Sequence, residues 1–348
     1  MTTAALSHRS RSLTLAFAAT LFVGGCAPAY PPSGGGQVAS AGKSLRTTIA
    51  TPYVESQTVS FALDRIDQRA LPLDHAYKHF GSGRGVTVYV FDGGVLDTHP
   101  ELEGRVRRGF NAFPNEDHLC NAHGTAVAGA VAGTTLGVAP DVEIVDVKMV
   151  ECRRMRGTID AIVQGTRWAL ADHALHPERR AIANWSFIAD TTAAIPALDS
   201  AVKQLLAAGI PVVVSAGNFD MNACRITPAN SPGAIVVGAS RVRRSSIQPD
   251  APLTDERAPG TAFGPCIDIF APGDSVLLPS MDAHQVPSQQ LWTGTSMAAG
   301  YVSGAAALFL ESHPLATPEA VSAHLQRSAS VKVDVRSVRG GMLYVGAR

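Results

Sequence analysis

From residue 61 onward, short and largely apolar runs of strand length alternate with longer segments whose small apolar residues recur at helical spacing. Residues 86–91, 142–147, 181–185, 210–214 and 235–237 read as strands, and such runs suit strands covered on both faces. Between them, residues 123–133, 158–173 and 194–208 read as helices. That alternation predicts an α/β fold: a mostly parallel central sheet with helices on both faces. Further on, a stretch of small residues from 294 to 300 runs into the apolar segment 301–310, and Thr317-Pro318-Glu319 carries the chemistry of a helix start.

The first sixty residues follow neither pattern. Arg9 and Arg11 precede an apolar run over 13–23 and then Gly24-Gly25-Cys26, which predicts an export signal over residues 1–25. The run is well short of the roughly 20 residues that a membrane-spanning helix needs. Small residues directly before a cysteine resemble a bacterial lipoprotein signal, so Cys26 is expected to carry a lipid anchor. Ordinary secretion with cleavage near Ala27 or Ala29 is the alternative. Residues 26–60 are rich in Pro, Gly, Ser and Thr and are expected to be a flexible tether with no evident folded propeptide. Residues 61–348 are expected to form one folded domain. In the whole chain 46% of residues are hydrophobic, ample for a core, and Lys plus Arg equals Asp plus Glu at 29 each. No block of like charge points to a nucleic-acid partner.

Four positions carry candidate chemistry. Ser296 lies in Gly294-Thr295-Ser296-Met297-Ala298, at the start of a helix-like run, where unpaired N–H groups and the positive dipole end favour developing anions. Taken alone, Ser296 reads equally as an N-cap. Asp92 closes the strand-like run 86–91, and His123 opens a helix-like one. A serine needs a histidine to take its proton, and the histidine needs a carboxylate to hold one tautomer. Asp97 is the near competitor for Asp92 but has no strand immediately before it. Asn218 ends the run Val212-Val213-Val214 in Ser215-Ala216-Gly217-Asn218, placed to offer an amide donor to an oxyanion.

The order Asp92, His123, Ser296 is that of subtilisin. Through Tyr89-Val90-Phe91-Asp92-Gly93-Gly94, His123-Gly124-Thr125, Ser215-Ala216-Gly217-Asn218 and Gly294-Thr295-Ser296-Met297-Ala298, the chain resembles subtilisin-like serine proteases of the proteinase K and aqualysin branch. Leu63-Asp64-Arg65-Ile66-Asp67-Gln68-Arg69 resembles the mature N-terminus of that branch. The resemblance implies a three-layer subtilisin-like fold over residues 61–348 and an endopeptidase with catalytic Asp92, His123 and Ser296 and oxyanion donor Asn218. It places substrate along Ser186, Phe187, Ile188, Ser215, Ala216 and Gly217. It also implies disulfides Cys120–Cys152 and Cys224–Cys266, which suit an exported protein. No cofactor is implied for the chemistry, but a structural calcium is implied at Asp268, helped by main-chain oxygens of Pro228 and Asn230.

Several positions depart from the family pattern. Gly93 follows the catalytic Asp where Thr or Ser is usual, Ala126 stands for a second His, and Gly300 stands for Pro, which is expected to leave a flexible point in the helix. Ser186-Phe187-Ile188-Ala189 stands where the family has Ser-Leu-Gly-Gly, so larger side chains enter the cleft. The resulting expectation is an exported, lipid-anchored serine endopeptidase of the bacterial cell envelope, monomeric, acting on polypeptides. A binding lipoprotein on a protease fold and an esterase with the same triad are the rivals. Against the esterase, Gly-Thr-Ser-Met-Ala lacks the last Gly of a Gly-x-Ser-x-Gly elbow.

Overall fold

A computed structural model describes residues 50–189, 194–243, 252–334, 336–337 and 339–346. In chain order these form β1 (Tyr53–Gln57), α1 (Phe61–Ile66), β2 (Ala76–Phe80), β3 (Val86–Asp92), β4 (Val106–Asn111), α2 (His123–Ala132), β5 (Glu143–Lys148), β6 (Val150–Glu151), β7 (Arg156–Gly157) and α3 (Ile159–Leu175). The chain continues with β8 (Arg180–Trp185), α4 (Pro196–Ala207), β9 (Val212–Ser215), β10 (Ile235–Arg243), β11 (Thr254–Arg257), β12 (Ile269–Pro272), β13 (Val276–Met281) and β14 (Pro287–Trp292). It closes with α5 (Thr295–Ser312), α6 (Pro318–Ser328) and β15 (Gly341–Met342).

All seven residues of β3 are buried, and the strand's two-residue period shares them between two cores. Val86, Val88 and Val90 face one core with α1, α2 and α5, while Tyr89 and Phe91 face the other with α3 and α4. This is the three-layer α/β arrangement expected. The sheet runs β15-β12-β10-β9-β8-β3-β5-β4, each neighbour parallel, with β11 antiparallel against β10. From β3 the chain passes to β4 and β5 on one side and later resumes at β8 on the other. The carboxyl ends of β3 and β8 therefore flank a switch point, the usual place for a cleft in such sheets.

α5 is buried along nearly its whole length, which its small residues permit. A Cβ at Gly300 would lie 2.8 Å from Ala130 Cβ and 2.9 Å from the Val127 carbonyl oxygen of α2. Gly300 is thus a contact glycine that lets two buried helices touch. The helix runs unbroken through it. The tether also ends earlier than residue 60. Tyr53–Gln57 forms β1, paired antiparallel with β2 from Tyr53↔Phe80 to Gln57↔Ala76, and Ser60 caps α1 by accepting the Leu63 N–H. Alternating side chains and backbone pairing with β2 give this short polar stretch a partner that its composition does not announce. Thr317 caps α6 through the Ala320 N–H, with Pro318 at the first turn, as read.

Candidate active site

Asp92 ends β3 and His123 begins α2. Their contact is direct: His123 Nδ1 lies 2.8 Å from Asp92 Oδ2, while Asp92 Oδ1 accepts the Gly93 N–H at 2.7 Å. Asn121 Oδ1 accepts the His123 N–H at 3.0 Å and so does the capping that Ala122 cannot. The close approach needs Gly124, where a Cβ would sit 2.4 Å from the Gly94 carbonyl oxygen and 3.0 Å from Asp92 Cβ. Burial disfavours the charged imidazole, but the Asp92 charge and hydrogen bond outweigh it, and the His123 pKa lies above that of a free histidine. Asp97, the rival carboxylate, is paired instead with Arg108.

Ser296 is the second residue of α5, 8% exposed. Its Oγ donates to the Ser186 carbonyl at 3.3 Å, and Ser186 Oγ donates back to the Ser296 carbonyl at 3.0 Å. Behind them Asn184 Nδ2 donates to Ser186 Oγ and Ser303 Oγ donates to Asn184 Oδ1, each at 2.9 Å. Ser186 also lines the cavity that His123 and Asp92 border, so β8 joins the serine to the dyad's side of the cleft.

Asn218 is exposed, yet its orientation is set. Oδ1 accepts Thr295 N–H at 2.9 Å and Thr295 Oγ–H at 3.0 Å, which leaves the amide N–H groups outside these bonds. Thr295 Oγ1 also accepts the Gly217 N–H at 3.2 Å. Thr295 therefore works as the linchpin between the Asn218 and Ser296 segments, a role its place inside a quoted motif did not reveal. Trp292, at the end of the β13–β14 hairpin, meets the His123 ring edge to face with centroids 6.2 Å apart. Nothing in its local sequence marks it, because the hairpin reaches His123 only through tertiary folding.

The cavity beside the dyad has a volume of about 690 Å³. One wall is Ser186, Phe187, Ile188 and Ala189; the other is the β6–β7 hairpin with Met155, Arg156 and Gly157. Phe187 stacks on Trp185 at 5.3 Å, and its carbonyl accepts Ser215 Oγ–H at 3.3 Å. Ile188 leans the other way, with Cγ2 3.7 Å from where a Cβ on Gly217 would be. Its side chain thus crosses between segments 186–189 and 215–218. Ala216 is fully buried and spends its N–H on the Val237 carbonyl, so it offers no side-chain contact to a ligand. Arg153-Arg154-Met155-Arg156 is exposed and closes the hairpin at the cavity's edge.

Both expected disulfides are formed, Cys120–Cys152 with Cα atoms 4.6 Å apart and Cys224–Cys266 at 5.2 Å. Cys26 lies outside the described residues. Asp268 is buried and already filled with donors: Val236 N–H at 3.0 Å on Oδ2, and Gln326 Nε2 at 3.0 Å with Arg339 Nη1 at 2.7 Å on Oδ1. The Pro228 carbonyl accepts Ser231 N–H, and Asn230 Oδ1 accepts Thr227 Oγ–H. Calcium needs six to eight oxygens, whereas here three N–H groups, one of them cationic, occupy the single carboxylate.

Residues 83–342 match the family model described as the subtilase family. The chain belongs to that family. It is 38% identical over 283 residues to an extracellular serine proteinase of Thermus sp. strain Rt41A, covering 81% of this chain and 64% of that protein. It is 35% identical over 288 residues to alkaline serine exoprotease A of Vibrio alginolyticus, covering 82% of this chain and 50% of that one. This subtilase chain thus spans between half and two thirds of those relatives' lengths. A crystal structure of a cold-adapted subtilisin-like serine proteinase superposes with a TM-score of 0.71 at 35% identity, over 84% of this chain and all of that one.

Proposed function

We propose that the protein is an exported serine endopeptidase acting through Asp92, His123 and Ser296, with Asn218 as oxyanion donor. Ser296 Oγ attacks the scissile carbonyl carbon while its proton passes to His123 Nε2, the ring nitrogen not held by Asp92. The C–O bond to serine forms as the carbonyl π pair moves onto oxygen, where Asn218 Nδ2–H and the Ser296 backbone N–H meet it. Collapse expels the amine, which leaves with the proton from His123. Water then repeats the sequence on the ester, releasing the carboxylic acid and restoring the serine. In the resting arrangement the Ser296 hydroxyl points to the Ser186 carbonyl, so it turns about Cα–Cβ to meet His123.

The observation that carries this reading is the 2.8 Å Asp92–His123 contact at a cavity lined by Ser186, whose carbonyl and hydroxyl are both hydrogen-bonded to Ser296. The subtilase match and relatives named proteinases favour peptides over esters as substrate. A relative named extracellular and two disulfides support export, and no helix among the described residues is long and apolar enough to cross a membrane. Anchoring through a lipid on Cys26 is part of the proposal, motivated by Gly24-Gly25-Cys26.

Ile188 narrows the space beside Gly217, so large side chains next to the scissile bond are expected to be disfavoured. Fluorophosphonate should label the wild type and not Ser296→Ala, and casein cleavage should vanish in that variant. Casein cleavage undiminished in Ser296→Ala would overturn the reading.

A further inference from the structure

A second imidazole–carboxylate pair lies behind the first. Asp146 on β5 is fully buried and stands opposite Val90 of β3, two residues short of the Asp92 level. Its Oδ2 accepts the Val95 N–H at 3.0 Å and lies 2.7 Å from His118 Nε2. Val95 follows Asp92 by three residues, and His118 precedes His123 by five. One carboxylate therefore grips both segments that carry the dyad.

These segments also touch each other. The Cys120 N–H donates to the Gly93 carbonyl at 2.9 Å, and the Leu96 N–H donates to Thr125 Oγ at 2.9 Å. Gly94 has φ +105°, and a Cβ there would stand 2.2 Å from the His118 carbonyl oxygen. The backbone at 118 is pressed against the Asp92 turn, with Asp146 fixing the two from below.

A buried carboxylate is an expensive way to hold two loops. Its desolvation is unfavourable, and an apolar residue at such a place is often neutral or better for stability. The neighbouring charges do not explain it as simple neutralisation. Asp92 repels Asp146, and Lys148 on the same strand leans toward Glu116, with Nζ 4.0 Å from its Oε2. Asp117 adds negative charge on the loop beside Lys148. Burial pushes the Asp146 carboxyl above its usual range, and His118 and the Val95 N–H are the neighbours that oppose this.

We propose that His118 and Asp146 are positioning residues that hold the Asp92 turn and the His123 loop in reacting register. The proposal rests on the reading of Asp92 and His123 as a catalytic dyad. Neither residue touches substrate; they act through the separation of Asp92 from His123. Displacements of about 1 Å in such a site cost up to about 100-fold in rate.

The test uses His118→Gln and Asp146→Asn, made singly and together in the full chain. Active sites are counted by fluorophosphonate, and kcat is expressed per counted site. Both single variants should lose about 10- to 100-fold in kcat per site with KM within about two-fold, and the double variant should be no worse than the weaker single one. A role in stability alone would lower the number of sites and leave kcat per site unchanged, and that outcome overturns the proposal.

Should Asp146→Asn fail to fold, His118→Gln, whose side chain is partly exposed, decides the matter by the same measure. A readout independent of turnover is the low-field proton NMR signal of the His123 Nδ1–H, recorded in a Ser296→Ala background. It should broaden or disappear in both variants. If it persists unchanged, the pair does not position the dyad; if the wild type turns nothing over yet the signal behaves as expected, the fault lies with the proposed activity.

Discussion

At the scale of single residues, what decides the chemistry is which atoms are held and which are left over. His123 gives Nδ1 to Asp92 and keeps Nε2, and Asn218 gives Oδ1 to Thr295 and keeps its amide N–H. Asn218→Ala should therefore lower kcat with little change in KM, on the order of 100- to 1,000-fold, the loss known from subtilisin itself. Thr295→Val should produce a smaller drop of the same kind, because it removes the hydroxyl that holds Asn218 but not the donor; steady-state kinetics on a short peptide amide measures both. The raised pKa of His123 has a definite consequence. The imidazole must be neutral to accept the serine proton, so kcat/KM falls as pH drops through a value above that of free histidine. Replacing Asp92 by Asn should move that acid limb to lower pH while cutting kcat, and a pH–rate profile would show whether both happen. The Asp92–His123 contact was legible in the sequence because Asp92 closes a strand-like run and His123 opens a helix-like one, whereas Asn218 lies beyond the end of β9 at Ser215. The contacts of Thr295, Trp292 and the His118–Asp146 pair were not legible, since they join segments that only folding brings together.

At the scale of elements, the same contrast appears in α5. Its apolar run was readable, but the contact that Gly300 makes with α2 was not. Periodicity marks which face is buried and says nothing about how near the next backbone comes. With Ala130 Cβ 2.8 Å and the Val127 oxygen 2.9 Å from the missing Cβ, Gly300→Ala must push α2 from α5. The expected cost is about 1 to 3 kcal/mol in denaturant unfolding, with an accompanying loss of activity because α2 carries His123 and α5 carries Ser296. An unchanged midpoint would show that the helices yield freely. β1 was missed for a different reason. Five residues with little apolar character become a strand because β2 supplies the hydrogen bonds, so the stretch reads as tether until its partner is known. Strands β3, β5, β8, β9 and β10 were recoverable because their side chains are largely apolar, a condition that does not depend on pairing, whereas β4, with its polar Arg107, Arg108 and Asn111, and the short β12 and β15 were not read as strands.

At the scale of the whole molecule, the C-terminal segment closes the domain against the far edge of the sheet. β15 pairs with β12, the Leu343 N–H donates to the Phe270 carbonyl at 2.7 Å, and the Val345 N–H donates to the Ile66 carbonyl of α1 at 2.8 Å. Asp268 is the centre of that closure, since its carboxylate binds β10 through Val236, α6 through Gln326 and the C-terminal segment through Arg339. Family resemblance implies a calcium ion at this carboxylate, from the motif around Asp268. Arg339 lies 71 residues further on, and only folding brings its guanidinium to the oxygen. A cation supplied by the chain itself cannot be removed by a chelator, so EDTA should leave the melting temperature unchanged and added calcium should not raise it. Arg339→Ala should cost about 1 to 2 kcal/mol, less than a fully buried pair because the arginine is 59% exposed. Thermal unfolding of both proteins, with and without chelator, distinguishes the alternatives. A wild type that loses several degrees in EDTA would show that an ion displaces Arg339 from Asp268, and the closure would then be metal-dependent after all.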